Sequence, residues 1–361
     1  MNARIAAGRL ANQGIDTVRA TTPQEVVAWF GGVQAQDIRA ALWAIGLRLP
    51  DGATAAIVQR ALDDGRILRT HVLRPTWHFV TASDSKWMLE LTAPQVQRRL
   101  ATYYRQLGLD EKVRSRGAKV IERALASGDH LTRAEIAAAL ARAGLPLSGV
   151  RLAVLTLHVE LERIICSGRQ RGAQATYALL SDRAPRPVVL ARDEALAELS
   201  RRYLRSHGPA TIRDFVWWSG LSTADARRGF ASAGARDERI GDHVYWRVDD
   251  AGTLQKPSSA VHLLPIYDEY LVAYRDLQAV PRPPSTWGLL PQSIVAKGQV
   301  AGTWKAVRHR DGVDLLITNG RALTASESRG LAQAARRYGR FFGVPHSLRR
   351  NETDPHRPRS S

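Results

Sequence analysis

The chain has 361 residues, enough for two or three ordinary domains. Its 52 Lys+Arg stand against 34 Asp+Glu for a net charge of +18, and only six of those basic residues are lysine. The 44% hydrophobic share excludes bulk disorder. No stretch of about 18 uncharged apolar residues offers a membrane span. The start, MNARIAAGRLANQGI, lacks the apolar core of a signal peptide. A lone cysteine, Cys166, excludes an internal disulfide and a Cys-rich zinc site. These features predict a soluble, cytoplasmic and nucleoid-associated protein. A pI near 10.8 favours a polyanionic partner, nucleic acid before anionic membrane, with a general arginine bias as the plainer source of charge.

A supersecondary pattern occurs three times. Each copy opens with a capping box, Thr22 with Glu25, Thr132 with Glu135, and Thr211 with Asp214. A short helix follows (PQEVVAWF, RAEIAAALARA, IRDFVWWS) and stops at Gly31-Gly32, Gly144 or Gly220. Trp217 and Trp218, in mid-helix, read as core. A second helix starts at Asp37, at Ser148, and at Ser222 or Thr223. A β-hairpin closes each copy: RILRTHVL with TWHFV, RIICSG with ATYALL, and ERI with HVYWRV. Helix, turn, helix and hairpin is the layout of a winged helix, whose second helix commonly enters the DNA major groove. The plainer alternative is a helical hairpin with a small ribbon and no DNA contact.

The predicted architecture is α+β, with three tandem winged-helix units and a C-terminal β-barrel-like domain. The boundaries read as 1–82 for the first unit, 83–126 for a helical linker, 127–185 for the second unit and 190–250 for the third. A β-rich domain spans 255–345, with a Pro-rich PRPP stretch and a closing helix opened by Thr324 and Glu327. A basic tail, 346–361, reads as solvated and disordered.

Several chemistries lack their motifs. There is no P-loop, no G-x-G-x-x-G, no H-E-x-x-H and no G-x-S-x-G elbow. His158-Val159-Glu160 imitates half of a deaminase motif without its P-C-x-x-C, and His158 reads as a helix residue. No cofactor and no catalytic metal are expected.

The most informative segment is GGVQAQDIRAALWAIGLRL, residues 31–49. Gly31-Gly32 ends one helix and Asp37 can cap the next. Gln34-Ala35-Gln36 is then held extended, where residues i and i+2 point to one side. Neutral amides are weak bases, but they hold a water well and their dipoles stabilise a developing cation. They suit a reaction whose leaving group needs little help. Structural caps or buried hydrogen-bond partners are the alternative. In the first hairpin, His71, Arg74, Thr76, Trp77 and His78 crowd together. Arg74 at the tip can reach phosphate or the minor groove. Trp77 reads as core before base-stacking wedge. His71, Arg74, Thr76 and Trp77, with Arg39 on the helix behind the glutamines, are the candidate DNA contacts.

GGVQAQD resembles the Q-apolar-Q motif of the AlkZ-like (YcaQ-like) alkylpurine DNA glycosylases. The resemblance runs from about Arg9 to Gly343, through HVLRPTWHFV, LTRAEIAAAL, ICSG, HGPATIRDFVWWSGL and LLPIYDEYLVAYRD. It implies three winged helices plus a β-barrel arranged as a concave cradle for double-stranded DNA. It also implies a monomer that removes N7-alkylated purines, crosslinked ones included, without metal or cofactor. Gln34 and Gln36 become the catalytic pair. Some relatives carry an acid at the second position, where this chain keeps glutamine. Asp37 is a possible helper, with its N-cap role favoured. The chemistry agrees with these residues. N7 alkylation makes the base cationic, so it leaves neutral, and water must reach a cation-like sugar. Schiff-base chemistry is disfavoured, because no lysine precedes Lys86. A non-enzymatic winged-helix regulator is the second reading. A resistance protein that sequesters an alkylating agent is the third.

Overall fold

The computed structural model describes residues 2–249, 260–281 and 291–351. The first part of the chain forms α1 (Asn2–Asn12), α2 (Pro23–Phe30), β1 (Val33–Gln34), α3 (Ile38–Gly46), α4 (Ala55–Asp63), β2 (Ile67–His71) and β3 (Trp77–Thr81). Next come α5 (Ser85–Gln106), α6 (Glu111–Leu125), β4 (Leu131–Thr132), α7 (Arg133–Arg142), α8 (Gly149–Leu161), β5 (Ile165–Ser167), β6 (Thr176–Leu179) and α9 (Leu180–Arg183). The third part holds α10 (Arg192–His207), α11 (Ile212–Ser219), α12 (Thr223–Ser232), β7 (Arg236–Ile240) and β8 (His243–Arg247). The last comprises β9 (Val261–Leu264), α13 (Glu269–Val272), β10 (Ser293–Ala296), β11 (Gln299–His309), β12 (Gly312–Asn319), α14 (Ala325–Phe342) and β13 (His346–Arg350).

All four capping boxes form, at Thr22, Thr132, Thr211 and Thr324. Each satisfies two orphan amides at a helix start through residues only three apart, so the local sequence decides them. Asp37 caps α3 through its side chain to the Ala40 amide at 2.8 Å.

A capped helix, a second helix and a hairpin recur along the chain, in a register that differs from the sequence expectation. In the second unit a short strand, β4, precedes the capped helix α7 and pairs with β6. In the third, Ala210 bridges Trp246 just ahead of α11. In the first, the matching strand is β1, which follows α2 and pairs with β3. Asp37 therefore occupies the place of Thr132 and Thr211, not that of Ser148 and Ser222. Helix α4, which the sequence reading passed over, stands where α8 and α12 stand in the other units. It was missed because Thr54 makes no side-chain cap bond, leaving no N-terminal signature. Gln34-Ala35-Gln36 thus joins an edge strand of a three-stranded sheet, ordered β1-β3-β2, to the following helix.

The segment expected as a linker, 83–126, is not a spacer. Ala118, Ile121 and Leu125 of α6 share a core with Ile136, Leu140, Leu155 and Val159, so α6 packs with α7 and α8. The first unit and the C-terminal sheet also share one core, joining Ile5, Leu10 and Trp43 to Leu263, Tyr270 and Phe341.

The C-terminal sheet has five strands in the order β13-β12-β11-β10-β9. Among the described residues it is open, with β13 and β9 at its edges and α14 packed on it, so the expected barrel is not closed. The tail expectation also needs correction. His346–Arg350 pairs parallel to β12, from Val313 with His346 to Ile317 with Arg350. Edge strands carry charge that keeps them from pairing further, and that charge imitates a solvated tail. The PRPP stretch from Arg282, the domain boundary at 250–255 and the tail from Glu352 lie outside the described residues. No described helix is long and apolar enough to cross a membrane.

Candidate active site

The glutamine motif is anchored from both of its peptide edges. Gln34 pairs with His78 across β1 and β3, and the Ala35 amide donates to the Trp77 carbonyl at 2.7 Å. Ala35 is fully buried, which explains a small apolar residue between two amides. The side chains on either side of it both reach the first hairpin. Gln34 Oε1 accepts from Arg74 Nη2 at 2.9 Å, and Gln36 Oε1 accepts from the Trp77 amide at 3.3 Å. Both partners can only donate, so the atoms facing them must be carbonyl oxygens. Gln34 is buried and Gln36 exposed. Asp37 is engaged as the N-cap of α3.

Three residues that sequence reasoning missed hold the motif or the hairpin strands beside it. Arg69 on β2 donates through Nε to the Ala35 carbonyl at 2.9 Å and through Nη2 to the Gln36 carbonyl at 3.3 Å. Its guanidinium lies 3.9 Å from the centre of the Trp77 ring. Burial lowers its pKa, with Glu160 opposing the shift. The alternation of Arg69 with His71 along a strand was the available signal.

Glu269 is the second. Its Oε1 accepts the Gln34 amide at 2.7 Å, while Oε2 faces Trp218 Nε1 at 3.0 Å and His207 Nε2 at 3.3 Å. Burial opposes its ionisation, yet the His207 contact and the Gln34 amide hold the carboxyl below its ordinary range. Beside it, buried Asp268 takes both Arg48 nitrogens at 2.9 Å. Adjacent acids inside the apolar run PIYDEYLV were a legible sign of buried, partnered carboxylates.

The third is Glu160 on α8, from the triplet that imitated a deaminase motif. It is 1% exposed. Its Oε2 takes the His71 amide at 2.8 Å and His71 Nδ1 at 2.7 Å.

The other sequence candidates divide. Arg74 is half-buried, bonds Gln34 and has no carboxylate partner among the described residues. The preceding Leu73 has a left-handed φ of 65° and a fully buried side chain, so packing holds a strained turn that aims Arg74 at the motif. A Cβ on Gly220 would collide with the Leu73 carbonyl, so the third unit seats on this turn only through a glycine. His71 is tied beneath Trp77 by Glu160. Thr76 keeps a buried hydroxyl without a partner among the described residues. Trp77 is half-buried on a cavity wall, not core. Arg39 lies apart from the hairpin, 3.8 Å over the Phe342 ring of α14. His78 is fully buried and pushed down to about 3, chiefly by burial and then by Arg74. Trp218 is core, as expected. Trp217 is not: it is 39% exposed and flanked by Arg74 and Arg275.

The site is therefore two fixed amides at a helix N-terminus, an arginine without a carboxylate, an exposed tryptophan and two buried carboxylates. A family model described as DNA glycosylase AlkZ-like matches residues 27–341. An interstrand DNA cross-link repair glycosylase of Streptomyces sahachiroi is 24% identical over 345 residues, which cover 84% of this chain and 87% of that protein. The solved structure of Streptomyces sahachiroi DNA glycosylase AlkZ matches with a TM-score of 0.80 at 21% identity, covering 96% of this chain and 98% of that one, and so shares its fold. With the family model spanning most of its length, this chain belongs to the AlkZ-like DNA glycosylase family.

Proposed function

We propose that the chain is a monofunctional DNA glycosylase. It would hydrolyse the N-glycosidic bond of N7-alkylated purines in duplex DNA, bulky and crosslinked adducts included. The observation that carries this reading is the fixed pair of amides. Arg74 and the Trp77 amide orient the two carbonyls, and Arg69 and Glu269 clamp the backbone that bears them. Each carbonyl keeps a second lone pair for a water proton. Amides held in this way cost no reorganisation when positive charge develops at the sugar. A cationic base departs without a strong acid, which matches a pair of neutral amides. The name of the Streptomyces relative supports the crosslink reading.

Gln34 and Gln36 are the catalytic residues of this proposal. Arg74 both orients Gln34 and, lacking a carboxylate, is free to pair with a DNA phosphate. His71 and Thr76 shape the hairpin, and Asp37 acts as a cap. With +18 of charge, duplex binding rests mainly on phosphates and weakens steeply with salt. The protein would act as a monomer without metal or cofactor.

The test is base release from a duplex carrying N7-methylguanine, read as alkali-labile abasic sites. Native protein should release the base. Gln34→Ala and Gln36→Ala should lose at least a hundredfold in rate, the scale on which removing one preorganised dipole acts, while duplex affinity stays within threefold. No release from N7-methylguanine, from a bulkier N7 adduct or from a crosslink would favour the non-enzymatic DNA-binding regulator.

A further inference from the structure

A cavity of about 350 Å³ lies between the first hairpin and the second unit. It shares two residues with the clamp on the glutamine motif. Arg69 and Trp77 line it, and these same residues hold the carbonyls of Ala35 and Gln36 and the Gln36 side chain. Phe79 and Tyr177 add aromatic wall, and Glu160 supplies a carboxylate. At the rim, Gln170, Ala173 and Ala175 are exposed, so the cavity has a way in.

The carboxylate is used unevenly. Oε2 of Glu160 takes the His71 amide, His71 Nδ1 and Thr70 Oγ1 at 2.8, 2.7 and 3.3 Å. Among the described residues, Oε1 has only Trp77 Nε1, at 3.4 Å. A buried carboxylate oxygen normally collects closer donors than that. Arg69 likewise spends Nε and Nη2 on the motif and bonds nothing through Nη1 among the described residues. An acceptor and a donor are thus spare in one aromatic-walled space beside the glutamines.

We propose that this cavity receives the purine of a small N7 adduct, with guanine preferred. Guanine carries N–H donors at N1 and N2 that suit Glu160, and its O6 suits the spare nitrogen of Arg69. Adenine offers one amine donor and no O6. Enzymes that extrude a base read its Watson–Crick edge in just such aromatic-walled pockets. The volume sits at the low end of the roughly 300–1,000 Å³ typical of ligand sites. It holds a purine with a small alkyl group and excludes one tied to the opposite strand.

The inference rests on the glycosylase reading for its role in catalysis, but it is testable without turnover. Free 7-methylguanine is titrated into the native protein, with tryptophan fluorescence and ligand-observed NMR as readouts. It should bind, at least tenfold more tightly than adenine. Glu160→Gln should weaken binding by about tenfold. Ala175→Trp, at the exposed rim, should block the cavity without touching the core. It should abolish base binding and slow release of N7-methylguanine from duplex, while release of a crosslinked purine and affinity for undamaged duplex stay at native levels. Should Glu160→Gln fail to fold, Ala175→Trp decides. Binding no tighter than that of adenine, or unaffected by Ala175→Trp, overturns the cavity assignment and leaves the glutamine reading intact. Specific base binding without any base release would keep the cavity and overturn the glycosylase reading instead.

Discussion

Substituting Glu269 by glutamine tests whether the glutamine motif depends on a carboxylate that is remote in sequence. Three donors converge on it: the Gln34 amide at 2.7 Å, Trp218 Nε1 at 3.0 Å and His207 Nε2 at 3.3 Å. Glutamine keeps one carbonyl oxygen and presents an NH2 group in place of the other. With the oxygen kept on the Gln34 amide, the new NH2 faces the two donors on the Oε2 side. Hydrogen bonds to a charged group contribute about 1.5–3 kcal/mol each. Breaking a buried charged contact costs about 3–5 kcal/mol, and the retained carbonyl places this variant at about 3 kcal/mol. The assay is urea unfolding at pH 7 alongside single-turnover base release. Stability should fall by about 3 kcal/mol. Release should fall by at least tenfold with duplex affinity preserved, since small misplacements of a reacting group are costly. The sign with pH follows from the lowered carboxyl. Its stabilisation is present above the ordinary carboxylate range and is lost as pH falls through the lower, folded value. The variant should therefore lose less stability than native protein on acidification. A loss under about 0.5 kcal/mol with an unchanged release rate would refute the reasoning.

Two further predictions turn on burial. Asp268→Ala strands the Arg48 guanidinium, whose side chain is only 3% exposed, and should cost about 3–5 kcal/mol in urea unfolding. Arg66→Ala breaks an exposed pair with Asp64 and should cost less than about 1 kcal/mol, so equal losses would refute the argument from depth. His78, pushed down to about 3, stays neutral in the folded protein at pH values where the unfolded chain protonates it. Its contribution is complete above about pH 6.5 and declines by about 1.4 kcal/mol per pH unit as pH falls toward 3. His78→Asn keeps a donor near the Thr76 carbonyl but removes the titration. The stability drop from pH 6.5 to pH 5 should shrink by about 2 kcal/mol, measured by urea unfolding at both values, and an unchanged drop would refute the assignment.

What the sequence made legible was local. Capping boxes span three residues, so Thr22, Thr132, Thr211 and Thr324 are readable without tertiary knowledge, and all four form. The extended Gln34-Ala35-Gln36 ahead of an Asp37 cap is local as well. Its partner Arg74 was visible only as a nearby candidate, because a strained turn at Leu73 aims it. The residue types of the clamps left local signs, but their partners were not legible. Glu269 lies 235 positions from Gln34, and Glu160 lies 89 from His71, so neither is paired by any periodicity. Helix α4 and strand β13 failed for opposite reasons. The first has no side-chain cap bond, and the second wears the charge of a tail. Missing α4 also displaced the repeat register, which is why Asp37 was matched with Ser148 rather than Thr132.

The depth of each charge reconciles two demands that the proposed chemistry sets against each other. A duplex is a polyanion, and an excess of 18 positive charges draws it in. The reacting centre is cationic, first at the alkylated base and then at the sugar, so the positive charge that Arg69 and Arg74 bring to the motif needs offsetting. In this chain Glu160 and Glu269 lie within the clamp at 1% exposure each. Screening beyond roughly 8–10 Å mutes them for a phosphate approaching through solvent. Over a few ångströms, in a water-poor site, the same charges act at far lower effective dielectric. Exposed arginines can then govern association while buried carboxylates govern the charge felt at the bond that breaks. On this account Glu160→Gln and Glu269→Gln should leave the salt dependence of duplex binding unchanged. Removing surface arginines should lower that slope by roughly 0.9 for each phosphate no longer neutralised. A salt slope that moves with the buried carboxylates would show that depth does not separate the two roles.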